Sequence, residues 1–324
     1  MTGGERPLSV VVVTYDMERE LPRTLRSLSA DLQVGVEASD YEVIVVDNGS
    51  PRPVDPGRFA DLAGTYRFER IDPAPPSPAR AANLGIGLAT GETIGLIVDG
   101  ARIASPGLLH MALQARRLDD RPVIASLGWH LGTARHMEAA ASGFDQAAED
   151  DLLARSGWEE DGYRLFGIST LGGSSAQGWF LPISESSALF LPAALWRELG
   201  GLDEAFVLPG GGLVNHDLYR RAVELDGTRL VTLLGEGTFH QYHGGAATSG
   251  RHGWDEMDAD YQRLRGTPYR KPAAPSLYVG TMPPAALGHL DHSSRAVRAK
   301  VVRASARRAW WRRLARRLRL SAPA

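Results

Sequence analysis

The chain of 324 residues contains no cysteine. That excludes disulfides, thiolate metal sites and a cysteine nucleophile. No apolar run approaches the roughly 20 residues needed to span a bilayer. Residues 1–7 lack the basic start and apolar run of a signal peptide. The expectation is a cytoplasmic protein, peripheral at the inner membrane face if it meets a membrane at all. Glycine is missing from Thr14 to Glu20. That excludes a dinucleotide-binding Gly-x-Gly-x-x-Gly after the first strand. It also excludes the Gly-rich phosphate loop of a sugar nucleotidylyltransferase.

Acid is missing from the C-terminal arm. Arg295 to Arg319 holds 11 Arg and Lys residues and no Asp or Glu, whereas residues 1–294 hold 25 basic and 38 acidic residues. An acidic body with a basic tail points to an interaction arm outside the core.

What is present is a chain with 43% hydrophobic residues, enough for a sizeable core. Leu8–Val13, Tyr41–Val46, Tyr66–Ile71, Thr93–Val98 and Val123–Trp129 are short apolar runs that read as strands. Glu20–Ala30, Ala79–Ala89 and Pro106–Arg117 between them read as helices. Continuous β-branched runs suit strands buried on both faces of a parallel sheet. The alternation predicts an α/β, doubly wound, mostly parallel sheet with its ligand site at the carboxyl ends of the strands. Thr14, Asp47 and Asp99 each fall just past such an end.

The second half is less regular. His136–Arg155 reads as a helix covering the crevice, Gly172–Gly178 as a mobile Gly/Ser loop, and Asn215–Glu224 as a helix. Leu230–Leu234 reads as a strand, followed by Thr238–Gly245. The expected division is one domain over 1–270, with a donor half at about 8–130 and an acceptor half at about 131–250. A proline-rich linker over 271–290 and a basic amphipathic tail over 291–324 follow.

Several motifs resemble those of the family-2 glycosyltransferases. Thr14-Tyr15 closes the first strand. Asp47-Asn48-Gly49-Ser50 resembles an Asp-Asp-Gly-Ser motif. Ala79-Arg80-Ala81-Ala82-Asn83-Leu84-Gly85-Ile86 with Ala89-Thr90-Gly91-Glu92 resembles Arg/Asn-x-Gly-Ile…Ala-x-Gly-Glu. Asp99-Gly100-Ala101 lies where the family carries Asp-x-Asp. Leu195–Glu204 resembles its Trp-x-x-Gly-Gly-Phe-Asp-Glu stretch. The resemblance spans about residues 8–245.

It implies a GT-A fold and transfer of a sugar, with inversion, from a nucleotide sugar to a hydroxyl acceptor. The expected donor is a UDP-sugar. The acceptor is a glycan, a lipid-linked glycan or a small molecule. Asp47 suits a base N–H, Tyr15 stacking, and Thr14 a further hydrogen bond. Asn48 belongs to the same motif. Arg80 and Arg102 suit the diphosphate, and Asn83 the ribose or a loop. A plain turn also accounts for Asp47-Asn48-Gly49.

A leaving diphosphate calls for a divalent cation, Mn²⁺ or Mg²⁺. The usual second acid of Asp-x-Asp is Ala101, which leaves Asp99 with help from His243 and His240, or a metal-free site using Arg80 and Arg102. One core and one surface histidine is the structural alternative. Inversion needs a general base. The family's Glu-Asp-x-Asp-Leu segment is Leu213-Val214-Asn215-His216-Asp217-Leu218 here. Asp217 is the first candidate, with Glu185 and His216 behind it. Helix capping by Asn215, with Asp217 in the first turn, is the structural alternative.

Two departures, Ala101 and Asn215, keep a second reading open: a catalytically degenerate nucleotide-sugar-binding module serving as partner or scaffold. In the tail, apolar residues recur at Val297, Val301, Ala304, Trp311, Ala315 and Leu318, with Arg on the other faces. That pattern suits an anionic membrane surface. Packing on the acidic body is the alternative. No nucleic-acid recognition motif is present.

Overall fold

A computed structural model describes residues 6–320 apart from 137, 139–142 and 244–252. For residue 306 and residues 308–320 it describes the backbone alone. The first strand, β1 (Leu8–Thr14), is flanked by β2 (Tyr41–Asp47) and β4 (Thr93–Ile97), and β3 (Thr65–Arg70) lies outside β2. All four run parallel, with Val10 opposite Val43 and Gly95, and Thr14 opposite Asp47.

The sheet continues through β8 (Leu189–Pro192), β6 (Pro122–Leu131), β9 (Arg229–His240) and β10 (Ser276–Gly280). β8 is antiparallel to both neighbours, whereas β6, β9 and β10 are parallel to one another. Short β5 (Arg102–Ala104) and β7 (Ser169–Leu171) pair antiparallel with β9 and β6. This is the mostly parallel, doubly wound sheet that the alternation of strands and helices predicts.

Alternation along β1 explains why the sheet has two cores. Val11 and Val13 face one apolar cluster, with Ala81 and Ala82 of helix α2 (Ala79–Leu88). Val10 and Val12 face the other. That cluster includes Leu25 of α1 (Leu21–Ser27) and Leu109 and Ala112 of α3 (Leu108–Arg116). Each buried valine or leucine contributes about 1.5–3 kcal/mol. Close approach of α2 depends on Gly85, where a Cβ would lie 2.4 Å from a Val11 methyl. The first core is densest around Trp129, whose ring meets Phe166, Trp179 and Phe239.

Several boundaries differ from the sequence reading. Within the expected helix over 136–155, residues 137 and 139–142 lie outside the described residues, and α4 spans Gln146–Ser156, started by Asp145, whose side chain accepts from the Ala148 N–H. The strand expected at Leu230–Leu234 runs on to His240. Residues 271–290, read as a linker, include β10 at the sheet edge and the start of a long helix. Prolines at 272 and 275 precede the strand without entering it, as an edge position allows. Gly173–Ser175 forms a short 3-10 turn.

Among the described residues four further α-helices follow: α5 (Ala193–Leu199), α6 (Val214–Glu224), α7 (Trp254–Arg265) and α8 (Leu287–Leu320). The basic tail thus lies within a helix of 34 residues, about 50 Å long at 1.5 Å per residue. Among the described residues, no helix is long and apolar enough to cross a membrane.

Candidate functional site

The carboxyl end of β4 leads straight into the site. Asp99 lies two residues past the strand, and β5 begins three residues later with Arg102 paired to His240. That register carries Asp99 to the end of β9. Asp99 Oδ2 is 2.6 Å from His240 Nε2 and 3.6 Å from His243 Nε2, and Oδ1 accepts the Ala101 N–H at 2.9 Å. Arg102 Nε stands 3.9 Å from the same carboxylate.

Ala101, where an acid was expected, is fully buried, and its carbonyl accepts the Gln241 N–H. An acid there would be buried under the strand ends. Gly100 is required for the same close packing, since a Cβ would lie 2.7 Å from Thr14 Oγ1.

Charge is balanced within this group. Burial alone would raise the Asp99 pKa, but the His240 and His243 imidazoles reverse it, so Asp99 sits well below the ordinary carboxylate range. Burial holds His240 down to about 4, against the pull of Asp99. His243 is lowered by burial but raised more by Asp99, and ends above the ordinary histidine value. The trio therefore pairs a carboxylate with a neutral inner imidazole and a more basic outer one.

The segment carrying these histidines is clamped from behind. Glu149, fully buried, accepts the Tyr242 N–H at 2.6 Å and the Arg19 guanidinium at 3.1 Å. Gln241 donates to the Glu20 carbonyl. Asp150 receives Arg19 at 2.7 Å and also Arg23. Thus α4 flanks the site and fixes its last strand. Gly244 and Gly245 lie outside the described residues.

Arg102 also borders an adjoining cleft of about 610 Å³, together with His130, Glu185, His216, Trp254 and Tyr269. The volume lies in the range of small-molecule sites. Glu185 Oε2 stands 3.4 Å from His216 Nδ1. The His216 ring lies 5.8 Å from Trp254 and 5.1 Å from Tyr269, edge-on to both. Trp254 is half exposed.

Asp99, Arg102, His240 and His243 are thus brought together, with Glu185 and His216 beside them. Asp217 is not part of that group. It is 1% exposed; Arg265 binds both its oxygens, at 2.6 and 2.8 Å, and Arg221 binds Oδ2 at 2.7 Å. This corrects its reading as first candidate base: a carboxylate enclosed by two guanidiniums is an anchor between α6 and α7. The cap of α6 is Leu213, so Asn215 is not the N-cap. Asn83 holds a loop, accepting the Leu202 N–H and donating to the Leu202 carbonyl and Glu204.

Near β1 and β2, Asp47 accepts the Ser50 N–H at 2.8 Å and Arg70 at 2.7 Å. Asn48 donates to the Pro75 carbonyl, which braces the proline loop. Thr14 is buried, with no partner for Oγ1 among the described residues. Tyr15 is 54% exposed, and Arg80 is exposed.

Sequence reasoning missed His130 and His136. His130 pairs with His240 across β6 and β9. Its signal was the one that marked Asp99: a polar residue at the carboxyl end of an apolar strand.

Residues 9–125 match the model of glycosyl transferase family 2. No curated protein matches the chain. Among solved structures it is similar to S. aureus TarS 1-349, at 14% identity and a TM-score of 0.47, covering 72% of this chain and 60% of that one. The complex of TarS 1-349 with UDP gives 13% identity and a TM-score of 0.48, covering 73% and 61%. Its complex with UDP-GlcNAc gives 13% and 0.49, covering 79% and 66%. The family model covers 117 of the 324 residues, from 9 to 125.

Proposed function

We propose that the chain, whose residues 9–125 match the model of glycosyl transferase family 2, transfers a sugar from a UDP-sugar to a hydroxyl acceptor, with inversion. The observation that carries this reading is Arg102, which borders both Asp99 and the cleft containing Glu185. A donor diphosphate at the strand ends and an acceptor hydroxyl in the cleft would then meet across one guanidinium. Thr14, Tyr15, Asp47 and Asn48 are assigned to the nucleoside side, and Arg80 and Arg102 to the phosphates.

The donor set fits a divalent cation: the Asp99 carboxylate and the His240 and His243 imidazoles each place one ligand atom within 4.8 Å of the other two. Nitrogen donors favour Mn²⁺ over Mg²⁺, which prefers oxygen and water. Asp99 and His243 are the more exposed members, with side chains 21% and 14% accessible against 6% for His240. They would face the diphosphate. When bound, the ion neutralises charge on the leaving diphosphate.

Glu185 takes the acceptor proton. It is the one carboxylate among the described residues bordering the cleft. His216 positions it from 3.4 Å. Trp254 offers an exposed aromatic face at the same opening. The basic arm of α8 is assigned to an anionic membrane surface, which would bring the enzyme to membrane-borne acceptors.

The test is calorimetric titration of UDP, GDP, dTDP and CDP with and without Mn²⁺, followed by assay for UDP-sugar turnover. UDP binding that needs Mn²⁺ is expected. Binding without any turnover would point to the non-catalytic module, and binding of no nucleotide would overturn the reading.

A further inference from the structure

The site holds a second cluster that the donor reading does not use. β6 and β9 end together, with His130 opposite His240. The chain then turns so that the His136 ring lies 4.3 Å from that of His130 and 5.1 Å from that of His240. One nitrogen from each of the three lies within 4.8 Å of the other two. His136 is fully buried, and neither of its ring nitrogens has a hydrogen-bond partner among the described residues. His240 Nδ1 is likewise buried and unpartnered. Buried polar nitrogens are seldom left this way, and three in one cluster call for a ligand.

The chemistry of the three rings is uniform. Burial lowers the pKa of each: His136 is pushed to about 3, His240 to about 4, and His130 lower still. The lone pair of His130 lies on Nδ1, which faces the His136 backbone N–H at 3.1 Å, a contact that an ion on that nitrogen would displace.

We propose that His130, His136 and His240 form an all-imidazole site for a borderline transition-metal cation of the Zn²⁺ or Co²⁺ class, separate from an ion held at Asp99 and His243. Three neutral nitrogens and no carboxylate suit such ions and reject Mg²⁺ and Ca²⁺.

His240 is common to both groups, and one neutral imidazole offers one lone pair. Its Nε2 is 2.6 Å from the ionised Asp99 and donates there. The lone pair is therefore on Nδ1, the nitrogen without a partner. Asp99, His240 and the inner ion thus make a carboxylate–imidazole–metal relay, an arrangement that fixes the tautomer and orientation of the ligand. The outer ion keeps Asp99 and His243. The inner ion pins the turn at 132–136 to the ends of β6 and β9, and sets the side chain against which Asp99 is aligned.

The site stands apart from the donor reading, and its test uses no nucleotide. The full chain, stripped with a chelator and held in excess Mg²⁺, is titrated with Zn²⁺ by calorimetry and with Co²⁺ by visible absorption. The His243→Ala background removes the outer site. One Zn²⁺ per chain is expected there, and Co²⁺ should give the intense bands of a low-coordinate nitrogen site. Adding His130→Gln or His136→Gln should weaken Zn²⁺ by at least about 10–100-fold, the cost of losing even a residue that only orients a ligand, with cooperative melting retained. His136 is the more deeply buried, so His130→Gln carries the test if the other variant fails to fold. Zn²⁺ binding unchanged by His130→Gln would overturn the site, as would its complete absence in the His243→Ala background.

Discussion

Asp99 and His240 are joined at 2.6 Å although they are 141 positions apart. The pairing of Arg102 with His240 brings them together, because β5 folds back onto β9 immediately after the turn that holds Asp99. The contact therefore belongs to the sheet rather than to a loose loop. A site built this way holds its carboxylate in one place before any ligand arrives.

Asp99→Asn should separate the charge of this residue from its shape. The amide keeps the volume but cannot neutralise a cation. Mn²⁺-dependent binding of UDP should fall by at least about 10–100-fold, the cost of losing even a partner that only orients a ligand, read by calorimetry on protein that still melts cooperatively. UDP binding that is indifferent to Mn²⁺ in the wild type would instead place the phosphate charge on Arg80 and Arg102.

Glu185 and Asp217 should behave oppositely. Glu185→Gln is expected to lower kcat by about 10²–10⁴-fold, the usual worth of a general base, with unchanged melting. Asp217→Asn should cost on the order of 3 kcal/mol of stability, because two guanidiniums lose their buried partner, with turnover per folded molecule retained. The paired assay and melting curves decide between them. Full activity in Glu185→Gln with loss in Asp217→Asn would restore Asp217 as the base.

The contrast shows what could be read in advance. β1, β2 and β4 are runs of buried apolar residues, so burial on two faces wrote them directly into the sequence. Asp99 followed from the rule that ligands gather at strand ends. Asp217 was misjudged because one of its partners, Arg265, lies 48 residues away on another helix. Local spacing cannot show such a pair. β10 was hidden for a similar reason: its short strand has meaning only beside β9, and the prolines around it look like a linker. His130 was legible but lay one residue past the expected end of its strand.

The basic arm gives a prediction that depends on salt. Anionic surfaces attract basic residues by about 1 kcal/mol each near the bilayer, and the arm carries 11 of them. Deleting residues 295–324 should abolish co-sedimentation with phosphatidylserine vesicles. For the full chain, binding should fall steeply between low and high salt as the Debye length shrinks. Salt-independent binding, or none, would reassign the helix to packing on the acidic body.

Glu236 sets a pH dependence separate from the site. It is 1% exposed within β9, accepting Ser105 Oγ at 2.5 Å, the Gly107 N–H at 3.2 Å and the Tyr163 hydroxyl at 2.7 Å. Burial raises its pKa from 4.5 to about 7, even against these hydrogen bonds. Below about pH 4.5 it is protonated in both the folded and unfolded chain. Between about 4.5 and 7 the folded state retains a proton that the unfolded chain releases, so stability declines as pH rises. At about 1.4 kcal/mol per pH unit the full loss is about 3 kcal/mol. Glu236→Gln removes this slope while keeping a hydrogen-bonding side chain of the same size. Melting curves at pH 5 and pH 8 should show the variant gaining on the wild type toward pH 8. Parallel pH profiles for the two proteins would mean that Glu236 is ionised throughout.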